Sequence, residues 1–155
     1  MSAFIGIDVG QTGCISLIDD GHLIFWDHKK HDPIETLYSI KATYGSCFTV
    51  VEKQHARPMQ GVTSTAKVFY EFGRIVGALE VLKFPFIIIR PQEWQKGLGL
   101  PPSKKKKEHK QAIAKHASRL FPDADFHGPK GGLLDGRSDS AMIADYARRR
   151  YTSKA

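Results

Sequence analysis

The sequence predicts an α/β fold: a mixed five-stranded sheet, three antiparallel strands followed by two parallel ones, flanked by helices on both faces. Three observations carry this expectation. Short apolar runs open the chain in quick succession, separated by turns of only a few residues. Two later apolar runs, CFTVV and FIII, are separated by a long helical pattern, so the second is reached by a crossover and lies parallel to the first. Further helical patterns stand before, between and after these runs, enough to cover both faces of the sheet.

The elements follow in order. Ala3 to Val9 (AFIGIDV) reads as a buried strand, and Gly13 to Asp19 and His22 to Asp27 as two more. Gly10-Gln11-Thr12 and Asp19-Asp20-Gly21 are the turns of an antiparallel meander. Asp32 and Pro33 open a helix as N-cap and first residue, Leu37 and Ile40 give it an apolar side, and Gly45 ends it. Cys47 to Val51 is the fourth strand, ending in Glu52. A breaker-rich loop with Pro58 and Gly61 leads to a long helix expected from Ser64 or Thr65. Phe69, Phe72, Val76, Leu79 and Leu82 keep helical spacing on it. Gly73 and Gly77, four apart, would permit close approach either within the chain or between two copies. Phe86 to Ile89 is the fifth strand, and Pro91 opens a short helical turn through Trp94. Ser103 is the expected N-cap of a lysine-rich helix with Ile113, Ala117, Leu120 and Phe121 on its inner face. The last helix is expected from Arg137 or Ser138 to Arg148-Arg149-Arg150.

A chain of 155 residues without a composition break reads as one domain, residues 1–155. Its 41% hydrophobic and 25% charged residues argue against disorder. Met1-Ser2-Ala3 runs straight into the first strand, with no signal or transit pattern, and no apolar run is long enough to cross a bilayer. The expectation is a cytoplasmic protein without membrane partners. Cys14 and Cys47 sit in apolar runs and read as buried free thiols; no CxxC or zinc spacing is present. A net charge of +7 favours a polyanionic partner, nucleic acid first. Lys104, Lys105, Lys106, Lys107 and Lys110 concentrate that charge around one glutamate, which points to phosphate contact.

Two strands end in an acid, Asp8 and Glu52. If those strands are parallel neighbours, both acids reach the end of the sheet where such folds place their sites. Close carboxylates repel unless a cation joins them. Asp135 and Asp139, four apart in LLDGRSDSAMIADYA, share one helical face, and Met142, Ile143 and Tyr146 could press that helix on the sheet. Each acid alone has an ordinary explanation as a turn or helix cap, or, for Glu52, as a partner of Lys53 or Arg57. Together in a basic chain, four oxygen donors suit Mg²⁺ or Mn²⁺, and two such metal ions suit phosphodiester hydrolysis.

In sequence order, FIGIDVGQTG, VVEKQHARPMQGVTST, RPQEWQKGLGLP with the lysine helix, and DGRSDSAMIADYA resemble the RuvC-like Holliday junction resolvases, in particular the compact forms found in phages. The likeness runs over nearly the whole chain. It implies an RNase H-like nuclease domain, a homodimer, and magnesium-dependent paired nicking of four-way DNA junctions in recombination and repair, leaving 5′-phosphates. It implies two metal ions per site, held by Asp8, Glu52, Asp135 and Asp139, with manganese able to substitute. Lys96 and one of Lys104 to Lys107, Lys107 by its spacing from Lys96, match basic positions near the scissile phosphate. Two departures stand out. The last two acids are four apart where bacterial forms usually have three, and His55 occupies the place of an aromatic that stacks on junction bases.

Three other readings compete. An actin-like ATPase or sugar kinase shares the GIDVGQTG-like opening, but needs a second lobe that 155 residues do not supply. A non-catalytic DNA-binding module explains the lysines and leaves the acids without a purpose. A nuclease with broader taste for flaps, forks or Y-junctions would use the same site.

Overall fold

The computed structural model describes residues 2–100 and 105–154. Its five strands are β1 (Ala3–Asp8), β2 (Cys14–Asp19), β3 (His22–Asp27), β4 (Phe48–Glu52) and β5 (Phe86–Ile89). Its helices are α1 (Pro33–Tyr44), α2 (Val62–Val81), the short α3 (Pro91–Gln95), α4 (Lys106–Leu120) and α5 (Asp135–Lys154). The strands lie in the order β3-β2-β1-β4-β5. The first three pair antiparallel, and β1–β4 and β4–β5 pair parallel, as the sequence predicts.

Local chemistry accounts for the turns. Asp20 and Gly21 both take positive φ, 48° and 81°, the conformation of a type I′ hairpin whose twist matches the flanking strands. Asp32 caps α1 by accepting from the backbone N–H of Ile34 and Glu35, each at 3.1 Å.

Helices cover both faces. Ile5, Ile7, Leu17 and Val51 meet Leu37 and Ile40 of α1 and Ile75 and Leu79 of α2 on one side. Phe4, Ile18 and Val50 meet Ile113 and Ala117 of α4 and Met142, Ile143 and Ala147 of α5 on the other. Residue 6 lies directly beneath α5. A Cβ there would stand 2.2 Å from the Ala144 nitrogen and 2.3 Å from the Ser140 carbonyl oxygen, so only glycine lets the helix come down on β1. The Ser16 and Ser140 hydroxyls share a hydrogen bond of 2.5 Å across the same contact.

Several expected boundaries move. α2 starts at Val62, ahead of Ser64, because Gly61 takes the cap position through its backbone: its carbonyl accepts from Thr65 N–H at 3.0 Å. α4 starts at Lys106 with Lys105 as N-cap, without a side-chain cap; Ser103 and Lys104 lie outside the described residues. Leu120 is 47% exposed, and Ala114 joins Ile113, Ala117 and Phe121 on the buried side in its place. α5 begins two residues early, at Asp135, and runs past Arg150 to Lys154. Cys14 and Cys47 are free and buried, and burial pushes their thiols up to about 12 and about 11. Among the described residues, no helix is long and apolar enough to cross a membrane.

Candidate active site

Ile7 pairs with Val51 in the parallel β1–β4 ladder, so the next residues, Asp8 and Glu52, emerge side by side at one end of the sheet. Asp8 ends β1 and Glu52 ends β4. α5 crosses β1, β2 and β4 and supplies Asp135 from its first turn and Asp139 one turn later. Four acids from three elements thus meet at one end.

The acids act on one another. The Asp8 carboxyl is held well above its usual range, first by burial, then by the negative charges of Asp139, Glu52 and Asp135. Asp139 is pushed up to about 8 by burial first and by Glu52 and Asp135 next. Burial also raises Glu52, against the opposing hydrogen bond that Trp94 Nε1 donates to its Oε2 at 2.6 Å. Trp94 is buried in the core, so that donor is fixed in place.

One cation enters the cluster. Lys110 Nζ lies 2.8 Å from Asp135 Oδ2. Its charge partly offsets the repulsion felt by Asp8 and Asp139. Lys107, Lys106 and Lys110 line a cavity of about 900 Å³ between α4 and the segment 127–133, with Asp135 at its edge. Lys115 and His127 line it too, and the sequence reading passed them over. Lys105 is exposed and leans towards Glu108 at 3.9 Å. His55 and Lys96 are exposed, in the loop after β4 and at the end of α3, and neither lines this cavity.

Three supporting contacts were not foreseen. Arg137 Nε and Nη2 donate to both oxygens of Asp27 at 3.0 and 2.8 Å, its Nη1 donates to the Asp125 carbonyl at 2.9 Å, and its guanidinium lies 5.1 Å over the Phe25 ring. This ties the first turn of α5, between Asp135 and Asp139, to the end of β3. His28 Nε2 donates to the Asp8 carbonyl at 2.8 Å, which leaves Nδ1 buried and without a partner. Gly13 closes over the same carbonyl: a Cβ there would stand 2.0 Å from Asp8 O. The glycine-rich turn after Asp8 therefore wraps the strand end.

The donor set fits a hard divalent cation. All four groups are carboxylates, and Asp139 Oδ1 is sealed from solvent with no hydrogen-bond partner, a state that costs free energy unless something positive meets it. Among the described residues, no three acidic, histidine or cysteine side chains already converge on one metal point. The cluster is a charged pocket that a cation would draw in.

No protein-family model matches the chain, and no curated protein matches its sequence. The likeness is in structure. The chain is similar to Thermus thermophilus RuvC in complex with a Holliday junction substrate, at 13% identity and a TM-score of 0.65, over 99% of this chain and 96% of that one. It is similar to another Thermus thermophilus RuvC structure at 16% identity and a TM-score of 0.58, over 96% of each chain. It is also similar to Ydc2, the yeast mitochondrial Holliday junction resolvase, at 15% identity and a TM-score of 0.57, over 97% of this chain and 79% of that one. The fold is RuvC-like, RNase H-like in class, from end to end of the described chain.

Proposed function

We propose that this protein is a Holliday junction resolvase, a single RNase H-like nuclease domain that makes paired symmetric nicks in four-way DNA junctions and leaves 5′-phosphate ends. The observation that carries the reading is the mutually repelling carboxylate set, Asp8, Glu52, Asp135 and Asp139, beside a lysine-lined cavity on a RuvC-like fold. These four would hold magnesium, or manganese in its place, as two ions. Such ions supply an activated water and stabilise the leaving oxygen.

The chain's own groups do the rest. Trp94 keeps one Glu52 oxygen oriented, and Arg137 keeps Asp135 and Asp139 in register with β3. Lys107 and Lys110 take the phosphate backbone beside the acids, where DNA would otherwise be repelled. Lys110 gives the cluster charge balance before DNA arrives. His55 is offered by an exposed loop beside Glu52, suited to stacking on an unpaired base. Such a protein works where DNA is kept, in the cytoplasm, that of the host for a phage-encoded chain.

Paired nicks need two sites, hence a homodimer. The outer side of α2 supports one. Val62 is 88% exposed, Phe69 41% and Val81 78%, and a Cβ added at Gly73 or Gly77 would meet nothing within 4 Å. Those glycines serve no close packing among the described residues, so the backbone there is open to approach by a second copy. Light scattering is expected to give a dimer, free and on junction DNA; a monomer in both would sink paired nicking.

The catalytic test is a panel of four-way junction, three-way junction, flap and linear duplex with and without magnesium. Symmetric cutting of the four-way junction is expected, abolished by chelation. Asp8→Asn should lose at least about a hundredfold in rate while junction binding survives, because affinity rests on lysines. Wild-type cutting by Asp8→Asn would remove the site assignment.

A further inference from the structure

A second basic cavity flanks the carboxylates on the other face of the sheet. It measures about 1080 Å³ and lies between the first half of α2 and the loop joining β3 to α1. Gly10 and Gln11, just beyond Asp8, form part of its wall, so it opens next to the site. Lys29 and Lys30 enter it from the loop and Lys67 from α2, all three exposed.

The cavity also holds two acids, and both are engaged. Arg74 bridges them, 3.3 Å from Asp32 and 3.0 Å from Glu71, and Asp32 is further committed to capping α1. None of the three lysines makes an ion pair among the described residues. A cavity whose anions are neutralised from within and whose lysines are not is set to attract phosphate.

Its position gives the partner's shape. The Lys107–Lys110 cavity belongs to the α4 and α5 face, this one to the α1 and α2 face, and the carboxylates sit at the sheet end between them. A straight duplex following one cavity leaves the other behind. DNA that diverges at a branch point can fill both. We propose that the α2 cavity seats a second arm of branched DNA, its phosphates on Lys29, Lys30 and Lys67, while the strand to be cut lies on the Lys107–Lys110 side; this rests on the junction-nuclease reading above.

The test compares binding of a four-way junction and a linear duplex of equal length, by fluorescence anisotropy in chelator, for wild type and Lys29→Ala/Lys30→Ala/Lys67→Ala. Junction affinity is expected to fall at least about tenfold, with duplex affinity within about twofold. The salt dependence of log K for the junction should flatten by about 3, close to one per lost phosphate contact. The triple arginine variant should restore both. Unchanged junction binding, or equal losses on junction and duplex, would overturn the proposal. Wild-type cutting of the junction is scored separately. If wild type binds junctions through these lysines but cuts none, the nuclease reading fails and the cavity assignment stands; if wild type cuts and the triple variant keeps its junction preference, the reverse holds.

Discussion

Gly6→Ala is the sharpest probe of how the site is held together. The new methyl would stand 2.2 Å from Ala144 N, 2.3 Å from Ser140 O and 2.8 Å from Ile143 C. All three are backbone atoms of one helix, so no side chain can swing away. Ordinary contact begins near 3.4 Å, and α5 must therefore retreat from β1 by roughly 1 Å. Overpacking of this kind costs about 1–3 kcal/mol. For a chain of this length that is a fall in Tm of roughly 3–10 °C. Asp139 is adjacent to Ser140, so the same retreat carries it away from Asp8. A displacement of about 1 Å at a reacting centre costs on the order of a hundredfold in rate. The assays are thermal unfolding and single-turnover junction cutting at saturating magnesium. Loss of rate well beyond the loss of folded protein at 25 °C is expected, with junction binding retained. A variant with wild-type Tm and wild-type rate would refute both the close approach and the dependence of the site on it.

Two other outcomes follow from the electrostatics and the hydrogen bonds. The unfolded chain gives up the Asp139 proton near its ordinary 3.8 and the folded chain near about 8, so the metal-free fold is at full advantage below pH 4 and loses it as pH rises through 8. In chelator, Tm should fall between pH 5 and 9, and Asp139→Asn should flatten that fall; the Tm gain from added magnesium should grow over the same window, since the ion needs the deprotonated acids. A metal-free Tm that climbs with pH counts against the buried cluster. Trp94→Phe removes the 2.6 Å donor that opposes the burial-driven rise of Glu52. Without that hydrogen bond to the charged carboxylate Glu52 rises further, so the acid limb of the pH–rate profile should move to higher pH; superimposable profiles would show that Trp94 has no such role.

The sheet was legible because its middle strands are buried on both faces. AFIGID and FTVVE stay apolar until their final acid, and that abrupt change marks both the strand end and the candidate ligand. The DDG turn was legible because its two positive-φ residues leave few alternatives. The start of α2 was not, because Gly61 caps it with a backbone carbonyl that any residue possesses. Leu120 was misassigned because helical spacing does not say where the last turn leaves the sheet. At the site, the acids announced themselves by position and the groups that hold them did not. Arg137 and Asp27 are 110 residues apart, Trp94 and Glu52 42, His28 and Asp8 20. Such pairs arise from the meeting of α5 with β3, α3 with β4 and a loop with β1, which no local pattern encodes. Lys110 was read as a DNA contact from its place in the lysine run; its ion pair with Asp135 needed the packing of α4 against α5.

The crossing of α5 over β1 also has a bearing on biosynthesis. Asp8 leaves the ribosome early, whereas Asp135 and Asp139 arrive on the last helix of the fold. A polypeptide halted between them carries Asp8 but neither acid of α5. If the four acids form the metal site proposed above, cutting would require translation to pass α5 and would be absent from chains that stop before it.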